Sequence, residues 1–243
     1  MQPAVKKRVQ IVLICGILVA AARTATILYS RSRADRLAVE EEQQRQRKKD
    51  TLDADYYVTP RKLYAYDLKG AQDLTKSPVW VRVGYGTFIY PFDPKAQHSD
   101  FVHDAGLLKP LEKLQITEVV YDRAPKAPGQ KQIMAAFAHD GKHYAVPIGA
   151  ERGDSFTLYA NEMFFLDDPH GLYKHWPKEV WDAIDRHEVL PGMNELQAAC
   201  AVGMGMLDGS GLGEERVLHY ANGGAPLTVT FRKGKAAEIK KGA

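Results

Sequence analysis

The sequence predicts an α+β protein in four parts: an N-terminal membrane segment, a charged helical stalk, a small antiparallel β domain, and a C-terminal module of two helices and a three-stranded antiparallel sheet. Three observations predict this order. A long apolar run lies near the N-terminus, apolar residues alternate with polar ones in the middle of the chain, and helical spacing returns near the end before a final alternation. The predicted boundaries are 1–29, 30–55, 56–168 and 169–243.

Composition excludes several classes of protein. The 243 residues include 33 Lys and Arg against 30 Asp and Glu, a formal charge of +3. So small an excess does not predict nucleic-acid binding, which needs a dense basic face. The two cysteines, Cys15 and Cys200, do not make a disulfide framework.

The first thirty residues predict a membrane segment. A basic cluster at residues 6–8 precedes an apolar stretch over residues 9–29, and such a stretch is about as long as a span of a bilayer core of roughly 30 Å. A cleaved signal peptide is the alternative, with small residues for cleavage at 20–22. The span length favours a retained anchor. The apolar side chains predicted to contact lipid include Val9, Ile11, Leu13, Ile17, Leu18, Ile27, Leu28 and Tyr29.

The segment after the anchor is rich in charge. This segment contains more Lys and Arg residues than the segment before the anchor. The positive-inside rule therefore places the C-terminal part in the cytoplasm. Residues 30–50 contain strong helix formers and no Gly or Pro. Because Leu37 and Val39 are their only large apolar residues, a solvated helical stalk is predicted. A lipid-binding basic patch is less favoured, since Glu40 to Glu42 would repel an anionic surface.

The middle of the chain predicts about five short strands in a twisted antiparallel sheet or open barrel. Alternation at 79–83 and 88–90, with glycines between them, and a β-rich run at 116–121 supply the first strands. Residues 133–139 and 143–148 flank Asp140-Gly141, which predicts a hairpin. Residues 155–165 predict a further strand.

The C-terminal part begins with helical spacing after Pro177. A capping box is predicted at Asn194 and Gln197, and Gly203 is predicted to end the second helix. A glycine-rich loop is expected over 203–213, followed by strands at 216–221, at 227–231 and up to about Ile239. The side chains predicted to form one core are Leu196, Cys200, Leu218 or Tyr220, Val229 and Phe231, with Thr228 and Thr230 on the other face.

Residues 180–241 resemble the BamE (SmpA/OmlA) family. Eight residues match its pattern in order and spacing: Gly192, Met193, Gly203, Tyr220, Thr228, Phe231, Gly234 and Lys235. Asn194 replaces the family's threonine as an equivalent cap. Leu218 replaces an aromatic residue, and Gly205 or Met206 stands where a proline is expected. The resemblance implies two helices packed on a three-stranded antiparallel sheet, in an adaptor of the cell envelope.

The polar residues of the sequence do not form a complete catalytic or metal-binding pattern. The glycine-rich loop follows a helix and precedes a strand, the reverse of a dinucleotide site. His139 and His143 flank a turn, and His98, His103 and Asp104 form a loose cluster, without the further ligands that zinc requires. Cys200 is expected in a core. No cofactor, metal ion or catalytic residue is therefore predicted.

Function is predicted to be non-enzymatic binding. The resemblance predicts a bacterial envelope protein with its soluble part on the periplasmic side, against the charge count, binding the membrane and other envelope proteins. The β domain is rich in aromatic residues, and its candidate interaction surface consists of Trp80, Tyr85, Phe88 and Tyr90. The alternative is a ligand-binding or enzymatic β domain, with the C-terminal module as an accessory. A pocket with convergent polar groups would favour that alternative.

Overall fold

A computed structural model describes residues 53–242, except 83, 126, 128 and 210–214. Before residue 53 it describes only Arg23, Arg33, Glu41 and Glu42, which are helical and exposed. The predicted lipid-facing residues of segment 9–29 lie outside the described residues. Among the residues described, no helix is both long and apolar enough to span a bilayer.

The chain divides into two units, Met1–Tyr57 and Val58–Ala243. In the first, Ala54–Tyr57 form a short 3-10 helix. The second contains the α-helices and strands that follow. Its α-helices are α1 (Leu68–Ala71), α2 (Ala160–Met163), α3 (Pro169–Leu172), α4 (Lys178–Asp185) and α5 (Glu195–Val202). Its strands are β1 (Val79–Val81), β2 (Tyr90–Asp93), β3 (His98–Ser99), β4 (Lys113–Leu114), β5 (Ile116–Arg123), β6 (Gln130–His139), β7 (Lys142–Arg152), β8 (Ser155–Leu158), β9 (Phe164–Phe165), β10 (Gly205–Leu207), β11 (Glu215–Tyr220), β12 (Leu227–Arg232) and β13 (Lys235–Lys241).

These strands form three antiparallel sheets, which confirms the predicted α+β class with antiparallel pairing. The largest sheet has the order β3-β2-β7-β6-β5, and β8 pairs with β7. A three-stranded sheet has the order β4-β1-β9, and a four-stranded sheet has the order β10-β11-β12-β13.

The predicted hairpin is confirmed as β6 and β7. His139 pairs with Lys142 across the turn, and the two turn residues, Asp140 and Gly141, have φ of 50° and 75°. Two positive φ values in a two-residue turn match the right-handed twist of the strands, and Asp-Gly adopts them readily.

The largest sheet is buried on both faces. Alternate residues such as Val119, Ile133 and Phe137 pack into the larger core with α1 and β1. Their neighbours Val120 and Met134 belong to a separate small core. Near-continuous apolar runs in β6 and β7 follow from this two-sided burial.

The carboxylate of Asp122 joins the two ends of this sheet. Asp122 on β5 accepts hydrogen bonds from the backbone N–H of Ser99 on β3 and from that of Arg123, both at 2.7 Å. The Ser99 N–H binds Oδ2, whereas His98 Nδ1 lies 2.7 Å from Oδ1, the oxygen that also accepts from Arg123 N. The sheet therefore curls until its first and last strands meet, which resembles the predicted open barrel.

The prediction of one strand over residues 155–165 is wrong. The segment contains β8, then α2, then β9. The Asn161 side chain holds the helical turn in place, because it accepts from Leu63 N and donates to Leu63 O, each at 2.8 Å. Because Leu63 is 98 residues from Asn161, the alternation of apolar and polar residues within 155–165 could not reveal this helical turn.

The second long helix has the predicted ends. Asn194 Oδ1 accepts from Gln197 N at 2.8 Å and Gln197 Oε1 accepts from Asn194 N at 2.8 Å, which completes the capping box. Helix α5 ends at Gly203, whose φ is 86°. A β-carbon there would lie 2.4 Å from the carbonyl oxygen of Gly84, so glycine is needed for space as well as for conformation.

The predicted core of the C-terminal part is confirmed. Leu196 packs against a cluster that buries Cys200, Leu218, Tyr220, Val229 and Phe231. Two details differ from the prediction. Residues 205–207 of the expected glycine-rich loop form β10, and Thr230 is buried although it lies on the opposite face of β12 from Phe231.

Candidate functional site

The structure does not bring the four aromatic residues of the predicted interaction surface onto one face. Trp80 packs against the C-terminal core, with Lys113 Nζ 5.4 Å from its ring centroid. Tyr90 packs against the small core, and its ring centroid lies 5.1 Å from that of Phe101.

The other two residues differ as well. Tyr85 is half-buried beside Gly223, and burial, with a smaller contribution from the charge of Glu112, raises the pKa of its phenol. Phe88 is 50% exposed and forms an isolated bridge with Leu107. Phe88 is therefore the member of the set with the largest exposed surface.

At the open edge of the C-terminal sheet, several neighbouring apolar side chains are exposed. We define the β10 edge as Met204, Met206 and Leu207, three neighbouring side chains that are all exposed, Met206 by 71%. Met206 stands opposite His219 and Leu207 opposite Leu218, whose side chain is buried in the core. Leu207 thus extends the apolar face of the sheet to its edge.

The backbone of β10 has outward-facing hydrogen-bonding groups. Asp208 N donates to Val217 O at 2.9 Å, one step beyond the pair Leu207 and Leu218. Hydrogen-bonded and non-hydrogen-bonded pairs alternate in an antiparallel ladder. The N–H and C=O of Leu207 therefore point away from β11, and in the described part of the chain no strand pairs with that side of β10.

The opposite edge of the same sheet is charged. Strand β13 carries Lys235, Lys240 and Lys241, and Lys240 pairs with Glu238 at 3.1 Å. Between Thr230 and Phe231 the register shifts, so that Ala237 has no partner on β12. Lysines and bulges are features that prevent edge strands from pairing with other chains. The two edges of this sheet differ in charge and in regularity.

The β10 edge could not be predicted from the sequence, because glycines surround it. Gly203, Gly205 and Gly209 predict a loop, whereas alternation needs more than three residues to be recognised. The signal that was available in the sequence is the pair of apolar residues Met204 and Met206 in a segment expected to be a glycine-rich loop.

The histidines form separate contacts. His98 pairs with buried Asp122, and His103 Nδ1 lies 2.9 Å from exposed Asp100. His139 and His143 do not stand opposite each other, because His139 pairs with Lys142 in the hairpin register. Cys200 is buried in the C-terminal core, as expected.

The chain matches no known family model, no curated protein and no solved structure.

Proposed function

We propose that this chain is a non-enzymatic adaptor of the bacterial cell envelope. Residues 9–29 would anchor it in the membrane, and its soluble part would lie on the periplasmic side and bind partner proteins. The resemblance of residues 180–241 to the BamE family supports this proposal. So does the order of elements there: helices α4 and α5 followed by antiparallel strands, with β10 as a strand additional to the three expected.

The observation that carries the proposal is the β10 edge. Its outward N–H and C=O groups at Leu207 are matched best by another β-strand, which supplies donors and acceptors at the same spacing. An added strand would also cover Leu207 and place an apolar side chain beside it. The partner is therefore an extended, apolar segment of another envelope protein.

Site-specific photo-crosslinking in intact cells tests this proposal. A photoreactive residue replaces Met206, whose side chain is exposed beside the open edge. We expect it to crosslink one or a few envelope proteins. The same residue at Lys240, on the lysine-rich edge, should crosslink less.

A proline substitution distinguishes strand addition from non-specific hydrophobic binding. Leu207→Pro removes the outward N–H and leaves the hydrogen bonds to β11 in place, because these come from Met206 and Asp208. We expect the crosslinks from position 206 to disappear. Ala237→Pro, in the bulge of the opposite edge, is the control and should leave them unchanged. Crosslinks that survive Leu207→Pro would exclude strand addition at β10.

A further inference from the structure

A groove of about 740 Å³ lies beside His98, where β2 and β3 meet the start of β7. Pro91 on β2 stands directly opposite Tyr144 on β7. Side chains of directly opposed residues share one face of a sheet. The proline ring and the half-buried tyrosine ring therefore give one wall of the groove a continuous apolar surface.

Two carboxylates line the same groove. Asp93 Oδ1 accepts from Lys95 N at 2.8 Å, and this backbone hydrogen bond lowers the pKa of the Asp93 carboxyl. Asp100 accepts from His103 and from Val102 N, and these bonds lower its pKa in the same order. Both carboxylates are thus ionised at neutral pH and fixed in position as hydrogen-bond acceptors.

Two side chains that can donate hydrogen bonds line the same groove. Lys142 and His143, at the start of β7, line the groove, and their side chains make no hydrogen bond or ion pair with any residue that the structure describes. With the histidines counted as neutral, two carboxylates and one lysine give the lining a formal charge of −1. A strongly charged ligand would meet repulsion from one set or the other.

His98 is a polar group of the groove that a buried carboxylate holds in position. A carboxylate only accepts hydrogen bonds, so the His98 Nδ1 that faces Asp122 carries the proton. The side chain of Asp122 is 3% exposed, which fixes it in place, whereas that of His98 is 56% exposed. In the neutral ring, Nε2 is left as an acceptor with no described partner.

We propose that this groove binds a neutral saccharide, with a sugar ring against Tyr144 and its hydroxyl groups on His98 and Asp93. A sugar combines an apolar C–H face with hydroxyls that both donate and accept, which is the combination that this groove offers. The volume lies in the range of small-molecule sites. This binding goes beyond the adaptor function and uses no residue of the β10 edge.

Calorimetric titration of the full chain tests the proposal, in a detergent that has no sugar head group. The probes are maltose, cellobiose and N,N′-diacetylchitobiose, all neutral, with glucuronic acid and glucosamine as charged comparators. We expect at least one disaccharide to bind with a Kd of about 1 mM or tighter, and both charged sugars to bind more weakly. Failure of all three disaccharides, or stronger binding of a charged sugar, would overturn the proposal.

Three histidine variants locate the site. His98→Ala should weaken binding by roughly fivefold or more through loss of a hydrogen bond. His143→Ala should also weaken it, because His143 lines the groove, and should leave the fold intact, because its exposed side chain makes no described hydrogen bond or ion pair. His139→Ala is the control, since His139 has the same 56% exposure and lies outside the groove. Binding that is unchanged in both groove variants would overturn the site, as would an equal loss in the control.

Discussion

The carboxylate of Asp122 on β5 accepts a hydrogen bond from the backbone N–H of Ser99 on β3, at 2.7 Å, although the two strands stand at opposite ends of the strand order. Both residues are buried. A buried carboxylate is tolerated only when its oxygens are satisfied, and here two backbone N–H groups and His98 do so. Asp122 is therefore a buried polar group that closes the curled sheet.

We expect Asp122→Ala to lower the free energy of unfolding by about 2–4 kcal/mol, because it leaves the buried N–H of Ser99 without its acceptor. Urea denaturation followed by tryptophan fluorescence measures the loss. Asp100→Ala is the matched control: Asp100 also pairs with a histidine, but it is exposed, and little change is expected. Equal effects of the two variants would contradict a closing role for Asp122.

The register of β12 predicts unequal effects at neighbouring residues. Phe231→Ala should cost about 3–5 kcal/mol, since its ring is fully buried in the C-terminal core. Thr230→Ala should cost about 1 kcal/mol. The loss should be smaller than that of Phe231→Ala because Thr230 lies outside that core, but it should be measurable because Thr230 is buried. Denaturant midpoints of the two variants test this order. A larger loss for Thr230→Ala would contradict the register.

The capping box of α5 gives a third prediction. Asn194→Ala removes the acceptor of Gln197 N and should destabilise the protein by about 1 kcal/mol. Asn194→Ser should restore most of this stability, because serine caps helices as well as asparagine does. Thermal unfolding followed by circular dichroism compares the three proteins. A serine variant as unstable as the alanine variant would show that the cap has no effect.

The raised pKa of Tyr121 predicts a loss of protein stability at high pH. Burial, and then a hydrogen bond to Glu151, raise the pKa of its phenol from 10 to about 12. Between these values the unfolded chain has lost the proton and the folded chain has not, so this group's contribution to stability falls as pH rises. We expect Glu151→Gln to lower the Tyr121 pKa, which NMR titration of the ring carbon next to the hydroxyl would measure. An unchanged value would mean that burial accounts for the whole shift.

The membrane topology gives the last prediction. A reporter enzyme that is active only outside the cytoplasm, fused after Ala243, should be active if the proposed periplasmic location is correct. A cytoplasm-specific reporter at the same position is the control and should be inactive. The reverse result would follow the positive-inside count and would exclude the envelope adaptor in its proposed orientation.

Local features of this chain could be predicted from the sequence. The capping box needs only Asn194 and Gln197, and the hairpin needs only Asp140-Gly141 between two apolar runs. The register of β12 follows from alternation along six residues. In each case the residues that make the interaction are neighbours along the chain, so their spacing contains the geometry.

The interactions that position the candidate sites depend on distant residues. Asn161 fixes a helical turn through Leu63, and Asp122 closes the sheet through Ser99 and His98. Separations of 98, 23 and 24 residues leave no periodic signal in the sequence. The packing of the aromatic residues at 80–90 could not be predicted for the same reason. Trp80 and Tyr90 are close in sequence, yet they pack against different cores.

By itself, the sequence determined the α+β class, the ends of α5, the hairpin turn and the inward face of β12, because propensity, capping and alternation act over a few residues. Only the tertiary structure decided which strand would remain at an open edge, and which polar groups would meet in the groove beside His98. Those outcomes depend on the order in which strands pair and on the curl of the sheet, and both are set by packing between residues far apart in the chain.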